Sequence, residues 1–339
     1  MPDIMPPEQP LLRVEDLTVR FRRRNIDVAA VNGVSFALAR GETLTILGES
    51  GSGKSVSLKA LMGLLPDYAQ TAGEVWLDGK DILTLPPSDL SKLRGSAISM
   101  IFQEPMAALD PVYTIGDQIA ETIVQHEGVG RSAAMQRALD LLDHVKIPSA
   151  ARRLKNYPYE LSGGMRQRAM IALALACSPS VLLADEPTTA LDVSVQIQIL
   201  LLLRQLQQEF GMAIVFVTHD VGAAAEISDR IAVMYAGRFV ETATAREIMR
   251  TPRHPYTQGL LASTVHGGLR GRVLETIPGA PPNLAQLPSS CAFAPRCRHA
   301  IEPCMRGEIP VVMSPTGAMV RCVRATAPIP APATNEVSA

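Results

Sequence analysis

Residues 48–55 read GESGSGKS, a spacing of glycines, lysine and serine that can wrap a chain of phosphates. Gly48, Gly51 and Gly53, with Ser50 and Ser52 between them, let successive backbone N–H groups curl around an anion. The helix that follows turns its positive end toward the same place. Lys54 then reaches the β- and γ-phosphates of a nucleotide, and the Ser55 hydroxyl holds Mg²⁺. VLLADE at 181–186 supplies the acidic half of such a site. Asp185 ends an apolar run, where its carboxylate binds Mg²⁺ directly or through water. Glu186 is adjacent, points differently, and is placed to orient or deprotonate an attacking water. A DE pair alone is an ordinary strand end; downstream of a phosphate loop the two motifs describe a nucleotide hydrolase.

LSGGMRQR at 161–168 narrows the class. The backbone of Ser162, Gly163 and Gly164 opens a helix and makes a second anion site. One nucleotide needs only one cradle, so a second implies that two such chains pair. With the other motifs, this run makes the chain resemble the ATP-binding cassette family, whose signature is LSGGQ; Met165 stands where Gln is commoner. The resemblance implies an α/β fold: a P-loop ATPase core with an antiparallel β subdomain and a helical subdomain. It also implies head-to-tail pairing, each signature closing over the other cassette's ATP. Further roles follow from the resemblance alone. Gln103 in IFQEP senses Mg²⁺ and the γ-phosphate, Asp192 in TTALD lies at the dimer seam, and His219 in VTHD bonds the γ-phosphate and positions Glu186. Phe21 matches the adenine-stacking aromatic by position only, and a core aromatic fits there equally well.

A finer resemblance spans nearly the whole chain. MRQRAMIALALACSPSVLLADEPTTALDVSVQIQIL, RHPYTQGLLAS (253–263) and IPGAPPNLAQLPSSCAFAPRC (277–297) are similar to the D-type ATPase subunit of bacterial dipeptide and oligopeptide permeases. That resemblance implies a second ATPase subunit of F-type, two membrane permease subunits and a periplasmic or extracellular solute-binding protein as partners. It implies a peripheral position on the cytoplasmic face of the inner membrane. The solute stays open among dipeptides, longer peptides, glutathione and nickel chelates. A soluble cassette acting on DNA or ribosomes is disfavoured by the single uninterrupted cassette. The net charge of −1 points the same way, since nucleic-acid binders carry a basic excess. An exporter subunit is disfavoured by the importer-like tail.

The elements that must position these residues follow from hydrophobic pattern. Residues 11–21 and 34–48 read as strands, 73–79 as a hairpin strand and 97–103 as a buried strand. KSVSLKALMGLL after Gly53 reads as a helix. In RSAAMQRALDLLDHV, residues Ala134, Ala138, Leu141, Leu142 and Val145 share one helical face, which reads as packing. VLLADE and AIVFVTH are continuous apolar runs of the sort found in covered parallel sheets, joined by the helical VSVQIQILLLLRQLQQEF. The resulting layout is a disordered lead-in at 1–10, a cassette at 11–250 with a helical subdomain near 105–175, an extension at 251–325 and a disordered tail at 326–339.

Hydrophobic residues make up 47% of the chain, yet no run reaches the roughly 18–20 apolar residues of a membrane span. MPDIMPPEQP lacks the basic-then-apolar order of a signal peptide, so the expected compartment is the cytosol, where disulfides are disfavoured. Four of five cysteines nevertheless gather at one end: Cys291, Cys297, Cys304 and Cys322, spaced C-x5-C-x6-C-x17-C. No C-x2–4-C pair of the structural-zinc kind occurs, and wider spacings suit a four-iron cluster. A [4Fe–4S] cluster, zinc and unliganded thiols all remain readings of the spacing; the D-type resemblance points to [4Fe–4S]. His299 is a substitute ligand, and Cys177 reads as a buried apolar side chain.

Overall fold

A computed structural model describes residues 10–23, 26–189, 191–263, 276–315 and 317–325. The lead-in (apart from Pro10) and the tail at 326–339 lie outside the described residues. Strands β1 (Leu12–Arg23), β2 (Ile26–Leu38), β3 (Thr43–Leu47), β4 (Ala69–Leu77), β5 (Lys80–Asp81) and β6 (Ile98–Ile101) come first. Strands β7 (Val181–Asp185), β8 (Ala213–Thr218), β9 (Arg230–Tyr235), β10 (Arg238–Thr244), β11 (Val311–Met313) and β12 (Met319–Arg321) complete the set. They form an antiparallel sheet of order β2-β1-β4-β5 and an eight-stranded sheet of order β11-β12-β10-β9-β3-β8-β7-β6.

The segment β9-β3-β8-β7-β6 is parallel. Every residue of β3, β7 and β8 is buried, as the continuous apolar runs require of strands covered on both faces. Leu47 pairs with Thr218, Asp185 with Val217 and Ile101 with Ala184. That register brings the ends of β3, β6, β7 and β8 to one edge, where open α/β sheets bind ligands. The phosphate loop, Gln103, Glu186 and His219 each follow one of these ends. Helices fill the long crossover from β6 to β7: Pro105–Ala108, Ile115–Glu127, Arg131–His144, Ala150–Arg153 and Gly163–Ala174. The predicted face of Ala134, Ala138, Leu141, Leu142 and Val145 is buried in their common core.

Three differences from the sequence reading have physical causes. The single strand expected at 34–48 is two, because a turn at Arg40–Gly41, with Gly41 at φ 67°, sends β2 and β3 into different sheets. The hairpin β9–β10 carries no conspicuous alternation because most of its residues are buried. Cys177 is half-buried rather than buried: its thiol reaches the Thr122 carbonyl at 3.8 Å from the turn after helix Gly163–Ala174.

The C-terminal segment is built onto the main sheet. Strand β12 pairs with β10 through Glu241–Val320 and Thr242–Met319. Tyr256, Leu260, Phe293 and Ala318 share one core with Leu47, Val233 and Tyr235. Among the described residues, no helix is long and apolar enough to cross a membrane.

Candidate nucleotide site

The turn from β3 into helix Lys54–Leu61 forms one wall of a cavity of about 880 Å³. Gly53 sits at φ 107°, in the region that side chains rarely adopt, and an added Cβ would collide with the Ala30 carbonyl. Lys54 is only 4% exposed and donates to the carbonyls of Gly48 and Glu49 at 2.8 and 2.9 Å. Burial pushes its ammonium pKa down; the charges of Glu186, Asp185 and Glu49 pull it back up. The Ser55 hydroxyl donates to Asp185 at 2.7 Å, so two hard oxygen ligands lie side by side. Burial raises the Asp185 pKa, against the lowering effects of the Ser55 bond and the two nearby lysines. The buried Ser52 hydroxyl has no hydrogen-bond partner among the described residues. An orphaned donor inside the loop and a paired Ser–Asp beside it fit a phosphate chain with Mg²⁺.

Glu186 is the hub of the far wall. It directly follows β7 at φ 46°, a costly conformation for a non-glycine residue, and its side chain is 11% exposed. Its Oε2 accepts from Thr189 Oγ1 at 3.0 Å and from Gln103 Nε2 at 3.3 Å. His219 Nδ1 lies 3.2 Å from the same oxygen, and Lys54 Nζ lies 3.8 Å from Oε1. His219 itself is 55% exposed, free to meet a ligand from the open side. This is a carboxylate held by groups from four separate loops, the arrangement that aims a base at one point.

Other expected site residues are placed elsewhere. Ser162 caps helix Gly163–Ala174, accepting from Met165 N–H at 3.3 Å, and Ser162 and Gly163 are exposed. None of Ser162, Gly163 and Gly164 lines this chain's cavity. Asp192 caps helix Val193–Phe210 through Val195 N–H at 2.9 Å; hydrogen bonds, first that from Ser194, hold its pKa low. Phe21 is also absent from the cavity lining: it is half-buried and faces Tyr68 with ring centres 6.0 Å apart.

Sequence reasoning assigned no role to several residues that matter here. Thr189 lies within TTALD but carried no recognised signal. Leu260, Ser263, Thr276, Ile277 and Leu284 also line the cavity, all from beyond residue 250. RHPYTQGLLAS and IPGAPPNLAQL, which hold all of these but Thr276, marked the segment without revealing where it packs.

The cysteine segment departs from expectation. Among the described residues, no group of three or more His, Cys, Asp or Glu side chains is arranged to hold a metal ion. The ligand set expected from Cys291, Cys297, Cys304 and Cys322 is therefore not assembled here. They do share a neighbourhood. The Cys291 N–H donates to the Cys304 carbonyl at 3.1 Å. Burial first, then the charges of Cys304 and Cys322, push up the thiols of Cys291 and Cys297, Cys291 to about 11.

Comparison with known proteins gives these features a family. Residues 31–189 match the ABC transporter model, and residues 240–304 match the oligopeptide/dipeptide transporter C-terminal region. The chain is 50% identical to the oligopeptide transport ATP-binding protein OppD of Salmonella typhimurium over 88% of this chain and 89% of that one. It is 50% identical to OppD of Escherichia coli over 87% of each. The dimeric ATP-binding cassette MJ0796, solved in a post-hydrolysis state with ADP and phosphate, superposes with a TM-score of 0.63. That match is 30% identical and covers 69% of this chain and 99% of that one. The chain belongs to the ABC transporter family, as an ATP-binding cassette carrying the oligopeptide/dipeptide transporter C-terminal region.

Proposed function

We propose that this chain is the ATP-hydrolysing subunit of a bacterial peptide importer. The observation that carries the reading is the convergence of Lys54, Gln103, Glu186 and His219 on one cavity in a chain with the oligopeptide transporter extension. The backbone of the phosphate loop and Lys54 bind the triphosphate. Glu186 takes a proton from a water that attacks the γ-phosphate; the bond to ADP breaks and phosphate leaves. His219 and Gln103 hold Glu186 and face the γ-phosphate, and Thr189 donates to the same Oε2, which leaves Oε1 to accept the proton. Ser55, Asp185 and Gln103 would hold Mg²⁺, which neutralises charge on the phosphates. Phe21 is assigned to adenine by family position alone.

The partners in this reading are an F-type cassette, two permease subunits and a solute-binding protein, with the chain peripheral on the cytoplasmic face of the inner membrane. Nucleic acid is not a partner. Cells lacking this chain should lose uptake of labelled di- and oligopeptides and regain it with the wild-type gene. Unchanged peptide uptake, with loss of glutathione or nickel uptake instead, would reassign the solute.

Exposure of Ser162 and Gly163 away from the chain's own cavity supports a composite site, in which the signature serves the facing cassette. Changing Ser162 to Arg should cut hydrolysis at the partner's phosphate loop about 100-fold, and at this chain's own loop far less, because the added bulk and charge sit at a preorganised phosphate contact. Single-turnover assays with one loop disabled at a time distinguish the two; equal loss at both sites, or full activity from a strict monomer, would contradict pairing.

The [4Fe–4S] cluster at Cys291, Cys297, Cys304 and Cys322 belongs to the same proposal. Its support is the spacing, the family resemblance and the shared neighbourhood of the thiols, which must close inward around a metal. Protein purified without oxygen should be brown, contain iron and acid-labile sulfide, and be bleached by Cys297→Ser. Colourless protein with one zinc per chain would replace the cluster with zinc, and metal-free protein with an ordered extension would remove both.

A further inference from the structure

The phosphate loop contains a carboxylate that a bound triphosphate must tolerate. Glu49, the second residue of GESGSGKS, lines the cavity and is gripped at each of its polar groups. Its N–H donates to the Tyr256 hydroxyl at 3.0 Å, and its carbonyl accepts from Lys54 at 2.9 Å. Its carboxylate accepts two bonds from Arg296, Nη1 to Oε2 at 2.8 Å and Nη2 to Oε1 at 2.9 Å. Arg296 is 247 residues away in sequence, immediately before Cys297, and its side chain is only 6% exposed.

The same guanidinium has a second attachment. Arg296 Nε donates to the Pro278 carbonyl at 2.9 Å, and the preceding Thr276 and Ile277 line the cavity. The rings of Tyr235 and Phe293 flank it at 5.8 and 6.0 Å. Arg296 thus joins the phosphate loop to the segment of the extension that also lines the cavity. A bidentate pair fixes orientation as well as charge, and lysine could not reproduce it. Without Arg296, the Glu49 carboxylate would stand uncompensated beside the phosphates, and its side chain would lose both bonds that fix it.

We propose that Arg296 is a positioning residue for ATP binding, supplied by the C-terminal extension to the phosphate loop of its own chain; this rests on the nucleotide-site reading above. The extension would then be part of the ATPase site, and a disturbance of the cysteine segment around Cys297 would reach the phosphate loop through this ion pair as well as through the Phe293–Tyr256 packing.

The test is ATP affinity in the assembled complex, read with a fluorescent ATP analogue and by KM and kcat. Arg296→Met should weaken ATP binding about tenfold, the scale of an unpaired charge in a partly buried site, with KM rising more than kcat falls. Glu49→Gln should cost less, because it removes the carboxylate itself. The double variant should bind ATP at least about threefold better than Arg296→Met alone, since no unpaired charge remains. Arg296→Lys, which keeps the charge and loses the fork, should fall between wild type and Arg296→Met. Wild-type affinity in both Arg296 variants, or a double variant as weak as the product of the singles, overturns the inference while wild-type binding upholds the nucleotide site. Wild-type protein that fails to bind ATP, or Lys54→Ala that binds it normally, overturns the site reading itself.

Discussion

Replacing Glu186 with Gln should leave ATP bound but lower turnover from this site by about 10²- to 10⁴-fold, the usual contribution of a positioned acid–base group. The amide retains the size of the carboxylate and an oxygen to accept from Thr189 and Gln103. It cannot take a proton from water. The side chain's place at φ 46°, held by contacts from other loops, survives the change because backbone and volume are untouched. Single-turnover hydrolysis in a complex with the partner cassette disabled reads the effect directly. A wild-type rate would show that Glu186 is not the base.

Lys54→Ala should act on binding instead. The ammonium is buried at a desolvation cost, which its lowered pKa records, and neighbouring carboxylates offset that cost only in part. Such an arrangement is expected where a triphosphate supplies the missing negative charge. Losing a charged hydrogen-bond donor to the phosphates should weaken ATP binding about 100-fold, given about 1.5–3 kcal/mol per charged bond. ATP at about 100 times its wild-type Kd stabilises the folded protein by about 2.7 kcal/mol, and after the loss by about 0.4 kcal/mol. Thermal unfolding with and without ATP measures this; an ATP-dependent shift equal to wild type would contradict the role of Lys54.

Much of the site was legible because its chemistry is local. Residues 48–55 need glycines at fixed offsets to curl backbone amides, so the pattern survives in one short stretch. VLLADE and AIVFVTH announced covered parallel strands by unbroken apolar runs, and helix Val193–Phe210 matched its predicted limits. What stayed hidden depends on distant parts of the chain. The pair Glu49–Arg296 bridges 247 residues, and neither residue is unusual in its own segment. The lining residues Leu260 and Ser263 come from one short helix and its end, and Thr276, Ile277 and Leu284 from a Pro-containing stretch, and neither segment's sequence betrays what it covers. Phe21 shows the converse: its place in the chain fits an adenine contact or a core aromatic equally, and its half-buried side chain, packed on the core beside Tyr68, suits either role.

The central claim is that ATP hydrolysis at this cavity drives peptide import, and coupled transport in proteoliposomes tests it most directly. Complexes containing wild-type chain or Glu186→Gln are reconstituted with the binding protein outside and ATP inside, and peptide uptake and phosphate release are followed together. The account predicts that wild-type vesicles release phosphate and accumulate peptide in step, and that Glu186→Gln vesicles bind ATP yet do neither at more than a small fraction of that rate. Peptide accumulation at the wild-type rate in Glu186→Gln vesicles would contradict it.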